Sequence, residues 1–135
     1  WEYAGSLYGD RAIILRESNS LIGLCGIDPW VWRFTKKQKV PSLFPDPNDL
    51  ATTSIEFELG YALLEEHRNK GYATEAANAI IEFAFSKAEI GRIMARTELD
   101  NPDSMKVMKR LGMEIYRSEE WGGFAAMLVN PNLED

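Results

Sequence analysis

Apolar and polar residues alternate in the first half of the chain in a way that predicts β-strands. Residues 11–17 and 21–27 are two apolar runs around the polar turn 18–20, the pattern of a β-hairpin. Residues 53–64 alternate strictly, with apolar side chains at Ile55, Phe57, Leu59 and Tyr61 and carboxylates at Glu56 and Glu58. This segment is therefore predicted to be a half-buried strand.

From residue 72 the spacing of apolar residues changes to that of a helix. Gly91 is a natural helix stop. The apolar positions in residues 72–88 follow a helical period: Ala73, Ala76, Ala77, Ile80, Ala84 and Ala88. Residues 92–99 return to the composition of a strand. A single strand–helix–strand unit over residues 53–99 implies one parallel pair inside a mixed sheet.

A second helix is predicted to begin at Asn101, because an N-cap amide, a proline and an acid follow one another there. It ends at Gly112, where a contact between Met108 and Met113 completes a Schellman cap. Two further strands are expected at residues 113–118 and 124–130. The order is thus β-β-loop-β-α-β-α-β-β, an α/β (α+β) domain, and the loop over residues 28–53 contains four prolines and no periodicity.

Composition narrows the class of protein. The 135 residues fit a single domain spanning 1–135, and 45% apolar with 27% charged residues is ordinary for a globular protein. The net charge of −6 argues against nucleic-acid binding, and no apolar run is long enough for a membrane span. Cys25, the single cysteine, suits the reducing cytoplasm and is expected in the core. No metal site is predicted.

The segment with the strongest chemical signal is residues 61–76, YALLEEHRNKGYATEA. A strand ends, a short turn follows, and Gly71 opens a helix whose first N–H groups have no intrahelical partner. A pyrophosphate can accept those groups if no side chain blocks it, and Arg68 and Lys70 add positive charge. The alternative is a plain strand–turn–helix connection with a glycine at the bend.

These residues resemble a known family. Arg68-x-x-Gly71-x-Ala73 is similar to the Q/R-x-x-G-x-G/A motif of the GNAT (Gcn5-related N-acetyltransferase) superfamily. The run HRNKGYATEA, together with DNPDS at residues 100–104, resembles its RimJ/RimL-like branch. The resemblance implies a mostly antiparallel sheet with one splayed parallel strand pair, flanking helices, and acetyl-CoA bound at the splay.

The resemblance also implies which residues bind acetyl-CoA. The backbone of residues 61–63 is expected to contact the acetyl–pantetheine arm, and the backbone of residues 68–74 the pyrophosphate. The positions are Tyr61, Ala62, Leu63, Arg68, Asn69, Lys70, Gly71, Tyr72, Ala73 and Thr74. Asn101 is expected to meet the pantetheine with its side chain, the alternative being that it is only an N-cap.

The implied reaction is transfer of an acetyl group to a primary amine, by direct attack without a covalent enzyme intermediate. The first candidate for the general base is Glu58 and the second is Glu56, although both could simply form a solvated polar face. Ser104 matches a serine proposed as an acid or positioning group, or it only completes a helical turn. The tyrosine that often protonates the thiolate is replaced by Met108, which leaves the acid unassigned.

The acceptor is expected to be a small-molecule or peptide amine, such as a protein N-terminus or a polyamine. The alternative function is a non-catalytic CoA-binding or interaction module. Family members typically carry a strand and two helices before the hairpin, so the domain is expected to be N-terminally incomplete. The apolar residues of loop 28–53 are then predicted to cover the exposed sheet face, in the same subunit or in a homodimer.

Overall fold

The computed structural model describes residues 6–34, 41–42, 52–118 and 122–133. These residues form seven strands and two α-helices: β1 Gly9–Leu15, β2 Ser20–Phe34, β3 Pro41–Ser42, β4 Thr52–Leu63, α1 Tyr72–Lys87, β5 Arg92–Glu98, α2 Pro102–Arg110, β6 Glu114–Ser118 and β7 Gly123–Val129. A short 3₁₀ helix, Glu65–His67, lies between β4 and α1. Within the described part of the chain, neither α-helix is long and apolar enough to cross a membrane.

The strands form one mixed sheet in the order β1-β2-β4-β5-β7-β6, with β3 paired to the far end of β2. Within the described residues the β4–β5 pair is parallel and every other pair is antiparallel. α1 is the crossover between β4 and β5. The predicted fold class, a mostly antiparallel sheet with one parallel pair and flanking helices, is confirmed.

The prediction of a loop over residues 28–53 is wrong for residues 28–34, because β2 continues to Phe34 and these residues pair with β4. The prolines of this segment had indicated a loop. β1 pairs with β2 only as far as Ile27, so on that side of Pro29 the described residues provide no neighbouring strand, and a strand tolerates proline at such a position. Residues 35–40 and 43–51 lie outside the described residues, and with them four of the apolar residues assigned to that loop: Val40, Leu43, Phe44 and Leu50.

The sheet has two unlike faces. The helix face packs against α1 and α2, and its core contains Cys25, Ile27, Leu59, Ile93, Ala95 and Ala126. No helix of the described residues packs on the second face. Alternation places Asp28, Trp30 and Trp32 of β2, Glu56, Glu58 and Gly60 of β4, and Arg92, Met94 and Arg96 of β5 on it. A smaller buried cluster of Trp32, Met94 and Ala125 lies there.

Both ends of α2 have the capping structures that the sequence predicted. The side chain of Asn101 accepts a hydrogen bond from the Ser104 N–H at 3.1 Å, and Pro102 is the first helical residue. At the other end Gly112 has φ 77°, and the Met113 N–H donates to the Met108 carbonyl at 3.1 Å, the Schellman bond. The stop predicted for α1 at Gly91 is displaced, since the helix ends at Lys87.

Candidate active site

A gap opens in the sheet between the two parallel strands. Only Phe57↔Ile93 and Glu58↔Met94 pair β4 with β5, although β4 runs on to Leu63 and β5 to Glu98. The strands therefore separate after Glu58, inside β4. Backbone N–H and C=O groups on the facing edges lose their ladder partners there, and they become available to a bound molecule.

The turn at the wide end of this gap leads into α1 with an unusual backbone. Asn69 has φ 58° and Gly71, the N-cap of α1, has φ 86°; both are left-handed. The first intrahelical bond is from the Glu75 N–H to the Gly71 carbonyl, at 3.0 Å. As at the start of any helix, three N–H groups at the positive end of α1 have no intrahelical acceptor: Tyr72, Ala73 and Thr74. No side chain of the described residues caps them.

The same turn offers room and hydrogen-bond donors for an anion. A Cβ at Gly71 meets no atom within 4 Å, and the Thr74 hydroxyl is buried without a hydrogen-bond partner. Arg68 is exposed and donates to the Leu63 carbonyl at 3.1 Å, which holds its guanidinium near the loop. Lys70 donates instead to the Glu66 carbonyl at 2.8 Å. These residues fit a phosphate group.

A cleft of 320 Å³ runs from this turn to the start of α2. Every residue predicted to bind acetyl-CoA lines it except Lys70, so the two sequence motifs meet in space. Sequence analysis missed four lining residues: Asp103, Lys106, Val107 and Arg110. Their three- and four-residue spacing on α2 could have shown that they share one face. Lys106 donates to Asp103 at 3.1 Å, and this hydrogen bond lowers the pKa of the Asp103 carboxyl.

Two hydroxyl groups connect β4 to α2 across the cleft. The Tyr61 hydroxyl lies 2.8 Å from Ser104 Oγ and 3.1 Å from the Ser104 carbonyl oxygen. Burial raises the pKa of Tyr61, while the hydrogen bond with Ser104 opposes that rise. Tyr61 therefore stays protonated at neutral pH. Met108, at the position of the expected tyrosine, is 1% exposed and packed in the core, where it reaches no cleft.

The two candidate bases lie on the second face of the sheet and differ in how they are bound. Glu56 is buried, and Arg92 donates to both of its oxygens, at 2.8 and 2.7 Å. Ser54 also donates to Glu56, at 2.6 Å. Glu58 accepts one bond from Arg96, at 2.7 Å, and its Oε2 is buried without a partner. Of the two carboxylates, Glu58 has an oxygen that accepts no hydrogen bond from the described residues.

Cys25 takes no part in this site. It is 1% exposed in the helix-face core, as predicted. Burial, with a smaller effect of Asp10, raises the pKa of its thiol to about 12, so the reactive thiolate is absent near neutral pH. No group of His, Cys, Asp and Glu side chains in the described part of the chain could hold a metal ion.

A mixed sheet with a splayed parallel pair, and an anion-binding helix start beside the splay, is the architecture that the acetyltransferase resemblance implies. Comparison with known proteins agrees: residues 1–114 match the family model of the acetyltransferase (GNAT) domain. The chain belongs to this family. The expected membership of the acetyltransferase family is thereby confirmed, while the domain bounds and the assignment of individual catalytic residues stay predictions.

Individual relatives agree with the family. The chain is 42% identical over 73 residues to the uncharacterized N-acetyltransferase YnaD of Bacillus subtilis (strain 168), covering 48% of this chain and 43% of the relative. It spans less than half the length of the curated relatives it matches.

Solved structures share the fold. An acetyltransferase from Agrobacterium tumefaciens str. C58 superposes with a TM-score of 0.66 at 25% identity, covering 94% of this chain and 64% of that one. A ribosomal-protein-S5-alanine acetyltransferase from Vibrio fischeri gives a TM-score of 0.67 at 19% identity, covering 98% and 67%. The latter likeness shows the fold alone.

Proposed function

We propose that the chain is an N-acetyltransferase domain that transfers the acetyl group of acetyl-CoA to a primary amine. The observation that carries the proposal is the end of the β4–β5 ladder at Glu58, next to a cleft that leads to the helix start at Gly71. One end of the cleft suits a pyrophosphate, and the other end reaches unpaired strand edges. A thioester donor with a long arm and a diphosphate fits both ends.

The donor's contacts divide between the elements around the cleft. We assign the pyrophosphate to the N–H groups of residues 72–74 and to the Thr74 hydroxyl, with Arg68 supplying positive charge. The pantetheine amides are assigned to the free edge of β4 beyond Glu58 and to the side-chain amide of Asn101. Its carbonyl oxygen already caps α2, which leaves the NH₂ group for the ligand.

Glu58 is the proposed general base, and Glu56 is set aside. A base must have a free lone pair directed at the amine proton, directly or through water. Both Glu56 oxygens accept hydrogen bonds from Arg92, and this carboxylate is buried, so its role is structural. Glu58 Oε2 is unpartnered, and Glu58 is the last residue of β4 that pairs with β5.

The Tyr61–Ser104 hydroxyl pair is the proposed proton source for the departing thiolate. The amine nitrogen bonds to the acetyl carbonyl carbon, the carbon–sulfur bond breaks, and the sulfur takes a proton. Tyr61 and Ser104 both line the cleft, and their hydroxyl groups are within hydrogen-bond distance of each other. When one hydroxyl gives its proton to the sulfur, the other can donate a hydrogen bond to the oxygen left behind. This arrangement supplies a donor that Met108 cannot.

Within the family, we place the chain in the RimJ/RimL-like branch. The support is the sequence around the two cleft motifs, HRNKGYATEA and DNPDS. The branch contains enzymes that act on protein N-termini and enzymes that act on polyamines, so branch membership leaves the acceptor open between those two classes.

The proposal is tested by calorimetric titration of acetyl-CoA and by thiol release with a panel of amines. Gly71→Glu places a carboxylate in the pyrophosphate site, so its acetyl-CoA affinity is expected to fall beyond detection. Gly112→Glu is the matched control. Gly112 has φ 77° and open space around its Cβ, so this variant carries the same backbone strain away from the cleft.

Unchanged affinity in Gly71→Glu, or equal losses in both variants, contradicts the assignment of this loop. Binding of acetyl-CoA without thiol release for any amine favours the alternative, a non-catalytic CoA-binding module. Loss of binding in Gly71→Glu alone, with turnover of at least one amine by the unaltered chain, supports the enzyme.

A further inference from the structure

A carboxylate lies inside the cleft, at the end assigned to the phosphates of acetyl-CoA. Asp103 of α2 lines the cleft together with Arg68, Asn69 and Gly71 of the turn before α1. The N–H groups and positive charge of a helix start attract an anion, whereas a carboxylate beside them repels one. The contacts proposed for acetyl-CoA give Asp103 no role.

The Asp103 carboxylate interacts with both walls of the cleft. Lys106, one turn further along α2, donates to Asp103 Oδ1 at 3.1 Å. This hydrogen bond is the largest cause of the lowered pKa of Asp103, and the Asn69 side chain and the Arg68 charge on the opposite wall lower that pKa further. The carboxylate is therefore ionised at neutral pH and acts on the turn as well as on Lys106.

Asp103 offsets one of the three positive charges that line the cleft. These charges belong to Arg68, Lys106 and Arg110. Lys106 and Arg110 are four residues apart on α2 and therefore share one face of the helix. Among the described residues Arg110 has no hydrogen bond or ion pair, whereas the ammonium group of Lys106 is bound to Asp103. A phosphate that enters the cleft thus meets one occupied and one available cation on this wall.

The pair between Asp103 and Lys106 can be exchanged for another partner. The two side chains are 50% and 59% exposed, and an exposed ion pair contributes little to stability, because water screens it and both side chains must be ordered. A phosphate offers Lys106 several acceptor oxygens and makes strong charge-assisted hydrogen bonds. The flexible lysine stem lets the ammonium group turn from one partner to the other.

We propose that Asp103 is an internal competitor of the phosphates of acetyl-CoA. In the free chain it occupies Lys106, and ligand binding transfers Lys106 from the Asp103 carboxylate to a phosphate. The inference rests on the proposed function. Because acetyl-CoA and the product CoA have the same phosphates, Asp103 weakens the binding of both and speeds the release of CoA after transfer.

The competing explanation is that Asp103 serves only the helix. It is an acid in the first turn of α2, where a negative charge stabilises the positive end of the helix. That role requires neither Lys106 nor the turn on the opposite wall. It predicts that removal of the charge lowers the free energy of unfolding and leaves ligand affinity unchanged.

The test is calorimetric titration of CoA, which binds without reacting, into the unaltered chain and into Asp103→Asn. Asparagine keeps the size of the side chain and removes its charge. The variant is expected to bind CoA about 3–10-fold more tightly, the effect of one charge–charge contact at a protein surface. The gain should shrink at about 1 M salt, which screens such a contact. Glu82→Gln is the control, because it removes the same charge from the exposed surface of α1, outside the cleft.

A double-mutant cycle tests whether Asp103 acts through Lys106. In the unaltered chain Lys106 must leave Asp103 before it binds a phosphate, so Lys106→Gln alone should weaken CoA binding less than about twofold. In the Asp103→Asn background Lys106 has no competing partner, and the same change should weaken CoA binding about 3–10-fold. Equal losses in the two backgrounds would overturn the transfer of Lys106.

Inorganic pyrophosphate separates the inference from the function on which it rests. If the chain binds no CoA, the proposed function fails, while a pyrophosphate titration still compares the unaltered chain with Asp103→Asn. Tighter binding of CoA or pyrophosphate to the variant supports the competition. Unchanged or weaker binding of both ligands overturns it and leaves the acetyltransferase assignment in place. Denaturant melts that show lower stability without an affinity change would assign Asp103 to the helix alone.

Discussion

At the scale of single residues, the ion pairs of the second face distinguish the two candidate bases, because Arg92 binds both oxygens of Glu56 whereas Arg96 binds one oxygen of Glu58. We expect Glu58→Gln to lower kcat by about 10²–10⁴-fold, because the amide has no basic oxygen, while acetyl-CoA affinity stays the same. The loss should shrink at high pH, where an amine with a pKa near 10 loses its proton unaided. Steady-state rates between neutral pH and pH 10 measure both effects.

Glu56→Gln is the companion variant for this prediction. Glu56 is buried and holds Arg92 through two hydrogen bonds, so its loss should lower the free energy of unfolding and leave most of kcat. Denaturant melts and rates on both variants separate the two roles. If Glu58→Gln keeps its full rate at neutral pH, the base is another group or water.

At the scale of elements, the start of α2 serves both the helix and the cleft. Asn101 caps the helix and also lines the cleft. Aspartate caps a helix as well as asparagine does but has no NH₂ donor. We therefore expect Asn101→Asp to retain the free energy of unfolding while acetyl-CoA affinity falls. Asn101→Ala should lose both, with a stability cost of about 1 kcal/mol.

Calorimetry and denaturant melts on the two Asn101 variants provide the measurements. An Asn101→Asp variant that binds acetyl-CoA normally would show that Asn101 is only a cap. Asn101→Ala with normal stability would contradict the capping role in turn. The two variants thus test two roles that the sequence alone left as alternatives.

At the scale of the whole molecule, the second face of the sheet has its own small core. Trp32 is completely buried against Met94 and Ala125, whereas Trp30 on the same strand is 49% exposed. Truncating Trp32 to alanine should cost about 3–5 kcal/mol of unfolding free energy, because it empties a packed site. Trp30→Ala should cost about 1 kcal/mol or less, mainly the contact with Arg96.

Denaturant midpoints of the two single variants, at constant m-value, check this difference. Equal midpoints would mean that Trp32 contributes no more than a surface aromatic, and that the second face has no core. The sequence analysis grouped both tryptophans in one loop, and the strand separates them: both project to the second face, but only Trp32 reaches its buried cluster.

The sequence by itself determined the elements that depend on local rules. The cap and Schellman end of α2 follow from Asn101, Pro102 and Gly112, and the turn before α1 follows from Gly71, because φ preference and backbone hydrogen bonding act within a few residues. The two motifs of the cleft were recognised by their resemblance to the acetyltransferase family. In the structure both motifs line one cleft of 320 Å³, which agrees with the family resemblance.

Only the tertiary structure decided what depends on which strands are neighbours. Local pattern did not show that β1 pairs with β2 only as far as Ile27 while β2 continues past Pro29. Nor did it show that the β4–β5 ladder stops at Glu58. It ranked Glu58 ahead of Glu56 as a base but left a solvated polar face as the alternative for both. The pairing of β4 with β5 brings Arg92 to one and Arg96 to the other, and leaves one oxygen of Glu58 free. Partners distant in sequence set these properties, so no short window of the chain contains them.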